Sequence, residues 1–464
     1  MAEPVSQLQE LEAAFDPIWS TARSSGLDPF PVHFELVPAS IMYEFGAYGL
    51  PGRFSHWTHG RTYHQIKTMY DFGLSKIYEL VINSNPAAAF LLENNSVLQN
   101  KLVIAHVLGH SDFFKHNAYF EHTNRKMMES VRVNADRISL YEFRHGKDEV
   151  ESFLDAVLCI EEHIDPYPRR ATDAASEPAP RHTTEYDDVF YLGDEHRPIT
   201  AVPERKFPQR PEKDMLRFIA EHSKNLTDWQ RDVIEIVRAE QEYFIPQMQT
   251  KIMNEGWAAY WHAKIMREIS LTDDEFMQFA ELHSGVLASS GRSLNPYLVG
   301  MRMFEEIERS WDSPTEEERQ HGRRPGGGRA KMFEVREVES DMSFLRNFLS
   351  KKLIDDLDLY LYRKEGDRWV IVEKDWRIVR DSIVASMTNF GRPYLVIEDG
   401  DYKGNRELYI RHQFEGQELD QRYAEMTLRQ VERLWGRTVH LETVVDEQPV
   451  VWSSDGTVTR SDAA

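Results

Sequence analysis

Two histidines four residues apart, His106 and His110 in "KLVIAHVLGHSDFF", are the residues whose types and spacing best suit chemistry. On a helix, side chains at i and i+4 leave the same face. That is the spacing two ligands of one zinc ion need. In the H-E-x-x-H helices of zinc hydrolases, the residue after the first histidine is the glutamate base. Here it is Val107, so the metal spacing is present and the usual base is missing. Two histidines hydrogen-bonded within a helical core would give the same pattern.

A metal needs a third ligand. The stretch "MNEGWAAYWH", Met253 to His262, carries Glu255 and His262 seven residues apart, on one helical face. Glu255-Gly256-Trp257-Ala258 resembles the E-G-W-A run that supplies a glutamate ligand in several helical zinc peptidase families. Two alternatives compete. His116 completes an H-x3-H-x5-H spacing, but the intervening "SDFFK" lacks the glycine such a turn usually uses. "IEEHID" offers Glu161, Glu162 and His163, better suited to supporting ligands or to replacing the missing acid–base group. His262 suits that supporting role too.

A third cluster lies near the N-terminus. "HFELVPASIMYEFGAYGLPGRFSHWTHGRTYHQ" gathers His33, Glu35, Glu44, Arg53, His56, His59 and His64 among glycines and aromatics. Such a composition lines pockets more readily than it fills a simple core. Glu35, Glu44 and Glu162 are candidate catalytic carboxylates. Arg53, His56 and His59 are candidate substrate contacts, with Arg53 suited to an anion. A rigid loop whose buried polar groups pair with backbone explains the same residues without a ligand.

These residues need elements to position them. Residues 5–25 read as an amphipathic helix, and 28–40 as an extended, proline-punctuated segment. From about 66 to 143 the chain reads as helical, with breaks at "INSNPAAAF" and "HSDFFKHNAYFEHTN". A helix at 150–163 precedes a long Pro- and charge-rich excursion, 165–213. Helices resume over about 214–310, and a Gly-rich linker occupies 316–330. The last third reads β-α-β-β-α-β, from "DRWVIVE" to "TVHLETVV", a ferredoxin-like order. A terminal hairpin, "PVVWSSDGTVTR", turns at Asp455-Gly456. The expected class is α+β. Residues 1–330 form a mainly helical part with a zincin-like core, and 331–464 a ferredoxin-like C-terminal domain.

Composition narrows the function classes. The 464 residues are 41% hydrophobic, as a packed globular chain requires. A net charge of −22 argues against general affinity for nucleic acid or anionic lipid. The single cysteine, Cys159, allows no intramolecular disulfide. No apolar run is long enough to span a membrane, and the acidic N-terminus lacks a signal-peptide pattern. A cytoplasmic location is the expectation.

Long motifs then carry a resemblance. "PVHFELVPASIMYEFGAYGLPGRFSHWTHGRTYHQIKTMYDFGLSKIYELVINSNP", "NKLVIAHVLGHSDFFKHNAYF", "MNEGWAAYWH", "FEVREVESDMSFLRNFL" and "YLVIEDGDYKGNRELYIRHQFEGQELDQRYAEMTLRQVERLWGRTVHLETVV" resemble the stage V sporulation protein R (SpoVR) family over about 28–445. The resemblance implies a role in spore cortex (peptidoglycan) formation where the host sporulates. In bacteria that form no spores it implies the company of a PrkA-type serine kinase and a von Willebrand A-type protein. It brings no settled activity. Two readings follow. One is a zinc-dependent hydrolase of an amide bond in a cell-wall-related substrate, with zinc on His106, His110 and Glu255, and water activated by Glu35, Glu44 or Glu162. The other is a non-enzymatic regulator or scaffold of the kinase stress system.

Overall fold

The computed structural model describes residues 4–72, 79–165, 167, 206–288, 294–366 and 368–462. Most of the excursion at 165–213 lies outside the described residues. The fold is α+β. The chain divides into two compact units, Met1–Val150 with Tyr243–Arg392, and Glu151–Glu242 with Pro393–Ala464.

The first unit holds a small sheet of β1 (Val32–Val37), β2 (Glu79–Ile82) and β3 (Ala87–Leu92), in the order β1-β3-β2. β3 is central, parallel to β1 and antiparallel to β2. This sheet corrects the helical reading of 66–143. The helix Trp57–Asp71 precedes β2 and β3, and helix resumes only at Val97. "AAAFLL" is rich in helix-forming alanine and leucine, yet Ala87, Ala89, Phe90, Leu91 and Leu92 are buried in a central strand. Packing on both faces overrides the local preference.

Around this sheet, the helices Pro4–Ser24, Val97–His116, Lys251–Glu268, Pro296–Asp312 and Gly328–Val338 share one core with Phe113, Trp257, Trp261, Phe304 and Phe344. The histidine helix starts at a capping box between Ser96 and Gln99. The Glu255 helix starts differently. The buried Asp341 carboxylate accepts the backbone N–H groups of Ile252 at 2.8 Å and Met253 at 2.9 Å. Missing side chains set the helix spacing. A Cβ at Gly256 would lie 2.3 Å from the carbonyl carbon of Gly300, and one at Gly109 would lie 2.7 Å from Ala258 Cα. The Glu255 helix is thus gripped on two sides at backbone contact. The stretch 316–330 contains a short helix, Glu316–Gln320, and the start of Gly328–Val338.

β4 (Leu361–Glu365) and β5 (Arg368–Glu373) form a two-stranded hairpin of their own. In the second unit, β6 (Leu395–Tyr402), β7 (Glu407–His412), β8 (Val439–Val445), β9 (Gln448–Ser454) and β10 (Val458–Asp462) form one sheet in that order. β7 and β8 run parallel, joined through the helix Gln421–Trp435; the other neighbours are antiparallel. The β-α-β-β-α-β order therefore exists along the chain but not within one sheet, because its first strand, β5, pairs with β4. The terminal hairpin turns where expected, with Gly456 at φ +101. No helix of the described residues is long and apolar enough to cross a membrane.

Candidate metal centre

His106 and His110 leave the buried face of their helix, 3% and 4% exposed. Each Nε2 faces the same two carboxylates. Glu79 Oε1 lies 3.2 Å from His106 Nε2 and 3.7 Å from His110 Nε2. Glu255 Oε2 lies 3.6 Å and 3.5 Å from the same atoms. Most of these separations are long for hydrogen bonds. The two Glu255 separations fall within the ~3.3–3.6 Å between ligand atoms held tetrahedrally at about 2.0–2.2 Å from one zinc ion, and those of Glu79 fall on either side of it. His106 Nε2 and Glu255 Oε2 are buried with no hydrogen-bond partner. Glu79, His106 and His110 form a group able to hold a metal ion, their ligand atoms within 4.8 Å of one another.

The atoms behind the imidazoles are also arranged. His110 Nδ1 lies 2.9 Å from Asn254 Oδ1. An amide oxygen only accepts, so Nδ1 carries the proton and Nε2 is the atom turned to the carboxylates. His106 Nδ1 lies 2.8 Å from His262 Nδ1, and His262 Nε2 lies 2.9 Å from His283 Nδ1. Burial, and then the neighbouring His106 and His283, hold His262 well below the usual imidazole range. Burial, and then Arg267 and Arg302, lower His283 to about 4. His262 and His283 are therefore neutral at pH 7. The ligand face is polarised in the opposite sense. Burial would lower His110, but Glu255 and Glu79 outweigh it and raise it to about 10. Burial would raise Glu255, but His106 and His110 hold it below the ordinary carboxylate range. Two carboxylates converging on two ring nitrogens make a place that favours positive charge.

A cavity of about 640 Å³ opens beside this group. Glu79, His106, His262 and Tyr297 line it; Glu255 does not. Burial first, then Glu255 and Glu79, raise the Tyr297 phenol well above its usual value, so it stays protonated.

The structure brings together only some of the residues named from sequence. His106, His110 and Glu255 come together, with His262 behind His106. Glu35 on β1 and Glu44 are exposed, and neither pairs with either imidazole. Glu162 and His163 belong to the second unit. His116 ends its helix against Asp28, with Nε2 3.2 Å from the Asp28 carbonyl oxygen. Arg53, His56 and His59 do not line the cavity. His56 caps the helix Trp57–Asp71, with Nδ1 2.8 Å from Thr58 Oγ1. His59 is buried beside the rings of Tyr48 and Phe54, 4.8 Å and 5.7 Å between centroids. Glu79, Asn254, His283 and Tyr297 were not legible as site residues. Glu79 sits at the start of a strand read as helix; "ELVI" before the turn "NSNP" was the signal for that strand.

Two family models match the chain. The SpoVR like protein model covers residues 6–392, and the SpoVR-like C-terminal domain model covers 393–446. The chain is also 30% identical over 452 residues to Uncharacterized protein YcgB of Escherichia coli (strain K12), spanning 90% of this chain and 88% of that protein. No solved structure matches. All four residues that meet at the candidate centre lie within the first match, and the chain belongs to the SpoVR family.

Proposed function

We propose that this SpoVR protein is a metal-dependent amide hydrolase, with a zinc ion held by His106, His110 and Glu255 and with Glu79 as the general base. The observation that carries this reading is the convergence of Glu79 and Glu255 on both Nε2 atoms, at 3.2–3.7 Å, beside an open cavity. The division of roles follows from the cavity. Glu79 lines it and Glu255 does not, so Glu79 is the carboxylate that meets a substrate. It fills the gap left at position 107, where Val107 is fully buried.

When bound, the ion would polarise an amide carbonyl and acidify a water. Glu79 accepts the proton of that water and passes it to the departing amine. Tyr297, kept protonated, donates a hydrogen bond to the carbonyl oxygen as charge develops there. Asn254 and His262 hold the two ligand imidazoles in orientation. A cell-wall amide as substrate rests on the family's cortex role alone. The regulator or scaffold reading, with its kinase and von Willebrand A-type partners, calls for a centre closed by protein ligands; the cavity beside Glu79 and His106 favours the catalytic one.

The test is hydrolysis of a panel of muropeptides and acylated amines by zinc-loaded protein, read by mass spectrometry. Glu79→Gln should lower turnover by at least ~100-fold while keeping zinc. No hydrolysis across the panel, or full turnover in Glu79→Gln, would overturn the assignment.

A further inference from the structure

The cavity beside the centre has two kinds of wall. Its lining combines Glu79, His106 and Tyr297 with the apolar Leu102, Val103, Leu282 and Val286, and Gly285 lies on the same helix as the last two. Val103 is 2% exposed and belongs to the main core. Gln99, His262 and Glu281 are its other polar lining residues, and no lysine or arginine lines it among the described residues. Gly285 matters most for the shape. It lies in the helix Asp273–Val286, and a Cβ built there would meet nothing within 4 Å. No steric conflict requires glycine at this position, which lines the cavity.

We propose that this cavity is an acyl pocket. It takes the neutral aliphatic group of a substrate whose carbonyl is presented to Glu79 and Tyr297. The inference rests on the hydrolase reading above and adds the substrate class. Apolar lining beside polar groups would gain from burying methylene groups. Away from the metal, the glutamates and the absence of any lining lysine or arginine make the pocket unfavourable for an acyl group bearing its own carboxylate. Among the amides a hydrolase of this family could cleave, those with a free carboxylate near the scissile bond fit worst, and those with a branched or straight aliphatic acyl chain fit best.

Hydroxamates attached to different chains probe the pocket without turnover. The measurement is calorimetric titration of zinc-loaded full-length protein with acetohydroxamate, 4-methylpentanohydroxamate and succinic monohydroxamate. The expected order is 4-methylpentanohydroxamate tightest, roughly 10- to 100-fold over acetohydroxamate, from four further carbons buried, with the succinic compound weakest. Gly285→Leu should keep its zinc and lose the preference for the longer chain. Equal affinity for the three compounds in wild type, or an undiminished preference in Gly285→Leu, overturns the acyl pocket. The wild-type comparison decides the matter even if the variant folds poorly. Failure of the protein to take up zinc at all overturns the hydrolase reading and this inference with it, whereas zinc uptake without chain preference removes only the pocket.

Discussion

Trp257 Nε1 donates to Asp112 Oδ2 at 3.0 Å, joining the residue two places past Glu255 to the residue two places past His110. The same oxygen accepts Arg336 Nη1 at 2.7 Å, and Oδ1 accepts the Asp28 backbone N–H at 2.8 Å. Asp112 is fully buried and Arg336 only 3% exposed. The network therefore registers the histidine helix against the Glu255 helix from inside the core. The run Glu255-Gly256-Trp257-Ala258 acquires a role at each place. Glu255 meets the imidazoles, Gly256 meets Gly300, Trp257 reaches Asp112, and Ala258 lies against Gly109.

Replacing Asp112 by Asn should destabilise the fold by about 1–3 kcal/mol, because the buried Arg336 loses the buried one of its two carboxylate partners and keeps only Glu337, at 2.9 Å. Denaturant unfolding would read the loss. The double variant Asp112→Asn/Arg336→Met should recover part of it; a double variant no more stable than the single one would show that the ion pair is not the source.

The Gly256–Gly300 crossing predicts a sharp contrast between glycines on helices. Gly256→Ala forces backbone against backbone and should cost about 1–3 kcal/mol or more. Gly285→Ala meets open space and should be neutral or slightly stabilising, since alanine favours helix. Similar unfolding midpoints for the two variants would contradict the close approach.

The candidate centre was legible in part because helical periodicity makes neighbours of residues close in sequence. His106 and His110 needed only the i, i+4 rule, and Glu255 with His262 needed two turns of one helix. Glu79 needed more. It reaches the histidines from a strand, and glutamate is a poor strand marker. His283 and Tyr297 arrive on two further helices, through packing that no local pattern announces. The C-terminal sheet was misread for a related reason. β4, "LYRKE", is largely charged and exposed, so nothing local marked it as the partner that withdraws β5 from the larger sheet.

Asn254→Ala removes the acceptor of His110 Nδ1 without touching a ligand atom. Zinc affinity should fall roughly 10- to 100-fold, with stability little changed in metal-free protein. Competition against a chromophoric chelator would measure it. Unchanged affinity would mean that His110 is oriented by other contacts.

His59 supplies a pH prediction away from the centre. Burial, and then Arg53 and His56, lower it to about 4 from an unfolded value of 6.5. The unfolded chain then binds the extra proton between these values. The contribution is present above pH ~6.5 and is lost as pH falls toward 4, about 2 kcal/mol of it by pH 5. His59→Phe should lose less stability than wild type between pH 7 and pH 5. Parallel losses in the two proteins would place the acid sensitivity elsewhere.

The central claim is tested most directly by metal content, measured by plasma mass spectrometry on tag-free protein grown in metal-replete medium. The account predicts about one zinc per chain in wild type and in Glu79→Gln, and its loss in His110→Ala and Glu255→Ala. Well-folded wild type without metal, or metal retained at full level in both ligand variants, would contradict it.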